Sequence, residues 1–131
     1  MSLLVPNVGN ALALGLICNK TTQGNLKLHL FKSNTTPSAT DTVSTYTEST
    51  AAGYAAVSLT GSNWTISTTS NVTTATYPAQ TFTYTAAENV YGYYVTDAGS
   101  TTVLFAEAFA SVFNIPSGGG SVVVTLNWTA A

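Results

Sequence analysis

Residues 80–95 read QTFTYTAAENVYGYYV and decide the fold class. In the first half, large side chains alternate with threonines, which is the period of two expected for a strand with one buried face. The second half, from residue 90 to residue 95, consists mainly of β-branched and aromatic residues, which favour strands. Two consecutive strands without helical periodicity between them predict an all-β domain.

Further strands are predicted on both sides of this stretch. Residues 26–31, LKLHLF, place three leucines on one face and Lys27, His29 and Phe31 on the other, so only the leucine face is expected to be buried. Residues 121–128, SVVVTLNW, predict the last strand. Additional strands are predicted at residues 55–59, 64–66 and 101–109, with loops or turns at residues 33–47, 60–63, 97–100 and 115–120.

The spacing of these segments predicts one β-sandwich, similar to a jelly roll, across residues 1–131. Seven or eight strands separated by turn signals are typical of a sandwich and not of βαβ units. We expect the sandwich itself to occupy residues 25–131. A hairpin is expected around residues 60–63, and residues 67–76 are expected to form an exposed loop or an edge strand because nearly all of them are Ser, Thr or Asn.

The first 20 residues are predicted to form an arm or a short helix. The apolar run at residues 11–18 favours a helix capped by Asn7, with Leu12, Leu16 and Ile17 on one face, although a buried strand is also compatible with it. The run is too short to cross a bilayer and no basic residue precedes it, so neither a membrane segment nor an export signal is expected.

The composition excludes several functional classes. Charged residues make up 6% of the chain, against a usual share of about 25%, while 24 Thr and 13 Ser take their place. Three Lys and Arg residues are too few to hold a nucleic acid. One Cys allows no internal disulfide, and the single His lacks partners for a metal site, so no cofactor is expected.

Glu107 is the acidic residue whose position is most informative. Alternation places it on one face of a predicted strand with Val103, Phe105 and Phe109, while the other face is also apolar. The carboxylate is therefore expected either to be paired or hydrogen-bonded within the core or to meet a second chain. Catalysis is not expected, because the five acidic residues are scattered singly and no nucleophile motif is present.

The neutral, hydroxyl-rich composition favours a protein packed against other subunits. Desolvating Thr, Ser and Asn costs less than desolvating Lys and Glu, and a net charge of −2 causes little repulsion between copies. A freely diffusing monomer would risk aggregation through segments such as residues 121–126.

A set of ordered phrases carries a resemblance to a known family. The N-terminal LLVPNVG at residues 3–9 and LKLHLFKSN at residues 26–34 are the longest of these phrases. Shorter ones are Thr36-Pro37, Gly53-Tyr54-Ala55, Leu59-Thr60, Trp64-Thr65, Gln80-Thr81-Phe82-Thr83, Val90-Tyr91-Gly92-Tyr93 and Leu104-Phe105-Ala106-Glu107. Together they resemble small all-β virion proteins of tailed bacteriophages, including those that infect cyanobacteria.

The resemblance implies a capsid decoration or cement protein on the virion surface, made in the host cytoplasm. Its expected partners are the major capsid protein and further copies of itself, as a dimer or trimer, with no nucleic acid, membrane or small-molecule substrate. We expect the interface to include Leu3, Leu4, Val5, Pro6 and Val8, as an arm that docks on a neighbour, and Phe105, Glu107 and Phe109.

The alternative is a tail, baseplate or fibre component that contacts the host. In that role Trp64 or the Tyr-rich strand at residues 90–95 would bind a glycan, although such aromatic residues more often fill a core or an interface.

Overall fold

Seven strands and one helix account for most of the computed structural model, which describes residues 3–130. The helix is α1 (Asn7–Ile17). The strands are β1 (Leu26–Phe31), β2 (Val57–Leu59), β3 (Thr65–Thr69), β4 (Val72–Tyr84), β5 (Glu88–Thr96), β6 (Val103–Ile115) and β7 (Gly120–Ala130). Two single 3₁₀ turns, Val43–Thr45 and Gly61–Asn63, lie in the connections.

The strands form two antiparallel sheets. One sheet has the order β2-β1-β5-β6 and the other the order β3-β4-β7. The all-β sandwich prediction is confirmed. Within residues 3–130 the strands divide into four and three, one fewer than the eight of a full jelly roll.

The main core lies between the two sheets. The four-stranded sheet contributes residues such as Leu28, Leu30 and Val95, and the three-stranded sheet contributes residues such as Phe82 and Leu126, all of them almost fully buried. Every second residue of β7 faces this core, as the sequence alternation predicts.

A second core covers the opposite face of the four-stranded sheet. The loop between β1 and β2 places Tyr46 against Phe31 and Tyr94, with ring centroids 5.0 Å apart in each pair. The prediction that β1 has only one buried face is therefore wrong, because His29 and Phe31 are also buried. Local alternation could not reveal this second layer, since a distant loop supplies it.

The N-terminal helix is confirmed, with different boundaries. It begins at Asn7, and Pro6 occupies the capping position without a side-chain hydrogen bond, so the expected Asn7 cap is wrong. It ends where Asn19 adopts a φ of 56° and Lys20 N–H donates to Gly15 O at 2.8 Å, a left-handed C-terminal cap. Leu12 and Leu16 are half-buried, whereas Ile17 is 80% exposed and does not share their face.

The connection at residues 60–63 is not a hairpin, because β2 and β3 belong to different sheets. The hairpin lies further along, where β3 pairs with β4 and the intervening Ser70 and Asn71 have φ values of 51° and 65°. Positive φ at both central residues is typical of the type I′ turn, whose twist matches that of the two strands it joins in a two-residue hairpin. The expectation of a loop or an edge strand at residues 67–76 is correct only for residues 67–71, which comprise the end of the edge strand β3 and this turn. Residues 72–76 begin β4, the central strand of the three-stranded sheet.

Candidate interaction surface

The first described residues form an arm along the edge of the four-stranded sheet. Leu4 N–H donates to Ala106 O at 2.8 Å, and Ala106 N–H donates to Leu4 O at 2.9 Å. Leu3 and Val5 pack against the main core, and Pro6 is buried. This segment, residues 3–6, is called the arm below. In this structure it docks on its own domain, and its contact with a neighbouring subunit stays a prediction.

Close backbone approach fixes the start of α1 beside β6. A Cβ atom added to Gly9 would lie 2.1 Å from Leu104 O, so only glycine fits at this crossing. Val8, the neighbouring predicted interface residue, is half-buried. The helix and the arm are thus held against the same strand, β6.

Glu107 is hydrogen-bonded to a side chain of the neighbouring strand. Tyr93 Oη donates to Glu107 Oε2 at 2.8 Å, so the carboxylate is hydrogen-bonded as one alternative expected, but at a half-buried position and not inside the core. Its contact with a second chain stays a prediction. Neither ion pair found within residues 3–130 involves Glu107. Burial, together with the bond to Glu107, raises the pKa of Tyr93 above its usual value of 10.

Of the predicted interface residues Phe105, Glu107 and Phe109, the first is fully buried and the other two are half-buried. Phe105 is fully buried, with its ring centroid 5.3 Å from that of Trp128, so the prediction that it contacts a partner is wrong. Phe109 is half-buried beside Tyr93, at 6.4 Å between ring centroids. An irregularity in the β5–β6 pairing at Leu104 moves Val103 into the second core, away from the other residues of the group.

A cleft of about 390 Å³ lies between the arm and β7. Its lining combines arm residues, one carboxylate, one indole and two neutral polar residues, namely Leu3, Val5, Glu107, Asn127, Trp128 and Thr129. Three of the predicted interface residues, Leu3, Val5 and Glu107, therefore meet in space. The contribution of β7 could not be predicted, because nothing in the order of residues indicates that the arm lies beside the last strand.

The single histidine, His29, is buried, whereas the side chain of its partner Glu48 is 40% exposed. His29 Nδ1 lies 2.8 Å from Glu48 Oε1, and Nε2 lies 3.0 Å from Thr96 Oγ1. The Thr96 hydroxyl also donates to Asp97 O at 2.9 Å, and the Glu48 carboxylate, which can only accept, receives the hydrogen bond from Nδ1–H. His29 also stacks on Tyr94, at 4.7 Å between ring centroids. All its polar atoms are used within the fold.

The other carboxylates hold loops in place. Glu88 accepts hydrogen bonds from the Ser49 hydroxyl and from Thr50 and Ala51 N–H, and its Oε1 lies 3.6 Å from Lys32 Nζ. Burial by itself would raise the pKa of Glu88, but these bonds and the Lys32 charge outweigh it and hold that pKa below 4.5.

Asp41 and Asp97 have similar roles. Asp41 accepts from Tyr46 Oη at 2.7 Å and from Ser38, and Asp97 accepts from Thr101 and Thr102. Burial would raise the pKa of each aspartate, but the hydrogen bonds lower it below 3.8. These three carboxylates are used to build the loops and do not line the cleft beside the arm.

Residues 3–130 contain neither a candidate metal site nor a membrane-spanning helix. No group of three or more His, Cys, Asp and Glu side chains there could hold a metal ion. No helix in that part of the chain is long and apolar enough to cross a membrane.

The aromatic residues proposed as glycan ligands are largely interior. Tyr93 and Tyr94 are 4% and 2% exposed, so the Tyr-rich strand cannot present these rings to a glycan. Trp64 is half-buried with its edge against Tyr77, at 5.1 Å between ring centroids. The tryptophan that lines a cleft is Trp128.

Comparison with known proteins adds no family to this description. No protein-family model matches the chain, and no curated protein or solved structure matches it either.

Proposed function

We propose that the chain is a capsid decoration protein of a tailed bacteriophage, bridging major capsid subunits on the virion surface and associating with copies of itself. The observation that carries this proposal is the neutral side of the sandwich, where β6 and β7 run for 13 and 11 residues with Glu107 as their only charged residue. The family resemblance of the sequence supports the same role.

Desolvation of the neutral surface formed by β6 and β7 costs little free energy. Hydroxyl and amide side chains can exchange water for a neighbouring subunit at a lower free-energy cost than ionised groups. Apolar residues are also exposed on these strands, since Val123, Phe113 and Val112 are 60%, 44% and 37% exposed. Many copies with modest contacts of this kind would stabilise a capsid through multivalency.

The proposal is tested by adding the purified protein to phage heads that lack it. We expect it to co-sediment with the heads, and a reconstruction by electron microscopy should show its density on their outer surface. Because the proposed contact is neutral, binding should change less than about threefold when ionic strength rises from about 0.05 to about 0.5 M. Absence of binding at every ionic strength, or density on the tail alone, would contradict the proposal.

The cleft beside the arm favours one alternative, a host-contacting tail, baseplate or fibre component that binds a glycan. An indole, a carboxylate and an amide are the groups with which proteins commonly stack on and hydrogen-bond to sugars, and Trp128, Glu107 and Asn127 supply them. Glycan-array binding that disappears in Trp128→Ala and persists in Trp64→Ala would support this alternative. Labelling of heads alone, with no glycan bound, would exclude it.

We also propose that the role is structural and not catalytic. Acid–base catalysis on a glycoside requires two carboxyl groups on opposite sides of the bond. Within the described part of the chain, Glu107 is the one carboxylate that lines the cleft beside the arm. Turnover of a small compound by the purified protein would contradict this proposal.

A further inference from the structure

Within residues 3–130, the outer edge of β7 has no strand partner, and the arm lies beside it at residues 127–129. The order of the three-stranded sheet ends at β7, and its described pairing is with β4, from the Thr73–Ala130 pair to the Tyr84–Gly120 pair. In an antiparallel strand, alternate N–H and C=O groups point to each side. One row of β7 donors and acceptors therefore points away from β4, and such a row fits an extended backbone.

The other long edge is protected, whereas β7 is not. Along β6, the arm pairs at Ala106, Glu107 adds a charge, and the pairing register with β5 shifts by three residues between Ala108 and Phe113. These are devices by which proteins block edge-to-edge pairing. β7 contains no charge and no proline, and the irregularity in its pairing, at Pro78 and Ala79, lies in β4.

We propose that the β7 edge pairs antiparallel with β7 of a second copy of this chain, joining two three-stranded sheets into one. This inference rests on the self-association included in the proposed function and specifies its interface. An isologous contact of this kind needs a strand that is complementary to itself. β7 meets this condition because two copies have equal length, open rows of the same pattern and no like charges to oppose.

The cleft beside the arm gives a second reason for this occupant. If the two-fold axis passes near Thr125, the partner's Ser121–Val123 lies next to Asn127–Thr129 of the first copy. Asn127, Trp128 and Thr129 form the β7 wall of the cleft, and the arm forms another wall. The added strand would therefore enter the cleft and bring the arm of one copy against the other copy.

The first experiment measures mass in solution by light scattering. We expect a dimer, twice the 13.5 kDa of one chain. Thr125→Lys places like charges opposite one another near the axis and should raise the dissociation constant of the dimer at least about tenfold. Ser67→Lys is the matched control on β3, the opposite edge of the same sheet, and should leave the dimer unchanged. A monomeric wild-type protein, or equal weakening by both variants, would overturn the inference.

The second experiment traps the contact covalently. In a Cys18→Ser background, single cysteines at the outward positions 121, 123, 125, 127 and 129 are oxidised in turn, because the native thiol is exposed. Directly opposed positions in an antiparallel pair bring Cβ atoms within about 5.5 Å, so one position near 125 should give a disulfide-linked dimer. Cysteines at residues 65, 67 and 69 of β3 should not. Cross-linking on β3 and not on β7 would refute the proposed pairing.

The two proposals fail in different ways. If Thr125→Lys still binds phage heads and the wild-type protein is a monomer, the β7 pairing and the self-association are wrong, and the binding to capsid subunits stands. If β7 cross-links as expected but the protein binds no head, the pairing stands and the decoration role is wrong.

Discussion

The two sides of the sandwich differ in the length and the protection of their edge strands. On the arm side, β6 and β7 run for 13 and 11 residues, whereas β2 and β3 on the far side have 3 and 5 residues. Short edges offer few unpaired groups to another chain. The arm side is therefore where an intermolecular contact would gain most. There the arm pairs with β6 at Ala106, whereas the outer edge of β7 has no strand partner within residues 3–130.

Alkaline pH should have the largest effect, because it acts on both sides together. Burial raises the pKa of Tyr46, Tyr54, Tyr93 and Tyr94. A nearby carboxylate adds to the effect in each case: Asp41 for Tyr46, Glu48 for Tyr54 and Tyr94, and Glu107 for Tyr93. Burial also raises the pKa of Tyr84 to about 12. These tyrosines ionise more readily in the unfolded chain than in the folded protein. The free energy of unfolding therefore keeps its full value below about pH 10 and falls as the pH rises through the pKa values of the tyrosines in the folded protein.

Thermal unfolding recorded from pH 8 to pH 12, with tyrosinate absorbance on the same samples, tests this expectation. The melting temperature should fall only above about pH 10, and the absorbance should rise together with unfolding. Ionisation of all seven tyrosines at about pH 10 in a fully folded protein would contradict it.

Replacing Gly9 should break the arm side while leaving the far side intact. Gly9→Ala forces a Cβ against Leu104 O and should cost about 3 kcal/mol, because backbone and not a flexible side chain must move. Gly61→Ala on the far side is the matched control, since no atom lies within 4 Å of the added Cβ, and it should change stability by less than about 0.5 kcal/mol. Urea unfolding measures both, and equal effects would show that the crossing of α1 and β6 is not tight.

Removal of residues 1–5 should expose the β6 edge. Two backbone hydrogen bonds and the packing of Leu3 and Val5 are lost, at a cost of about 2 kcal/mol, and aggregation should increase. The double variant Leu3→Ala/Val5→Ala keeps the backbone pairing and should lose stability without aggregating. A truncated protein as soluble and stable as the full chain would mean that the arm does not protect this edge.

The hydrogen bond between Tyr93 and Glu107 should contribute the smallest of these effects. A double-mutant cycle with Tyr93→Phe and Glu107→Gln should give a coupling free energy of about 1 kcal/mol, measured by urea unfolding at pH 7. A coupling near zero would indicate that Glu107 is held mainly by solvent and is free to meet a partner.

Most of the strands could be predicted from the sequence alone. Alternation along residues 80–84 and 121–128, together with the aromatic run at residues 90–95, predicted β4, β7 and β5, because a period of two arises directly from strand geometry. It also predicted that Glu107 would need a partner, because a carboxylate on a strand with apolar residues on both faces must be satisfied or exposed.

Which distant segments pack against each other is visible only in the three-dimensional structure. The burial of His29 and Phe31 depends on a loop more than ten residues away in sequence, and the cleft joins residues 3 and 5 to residues 127–129. The same is true of the edges, since the sequence does not show that the arm pairs with β6 or that β7 ends its sheet. Periodicity reports the environment of one strand, whereas partners distant in the chain are chosen by how the two sheets pack.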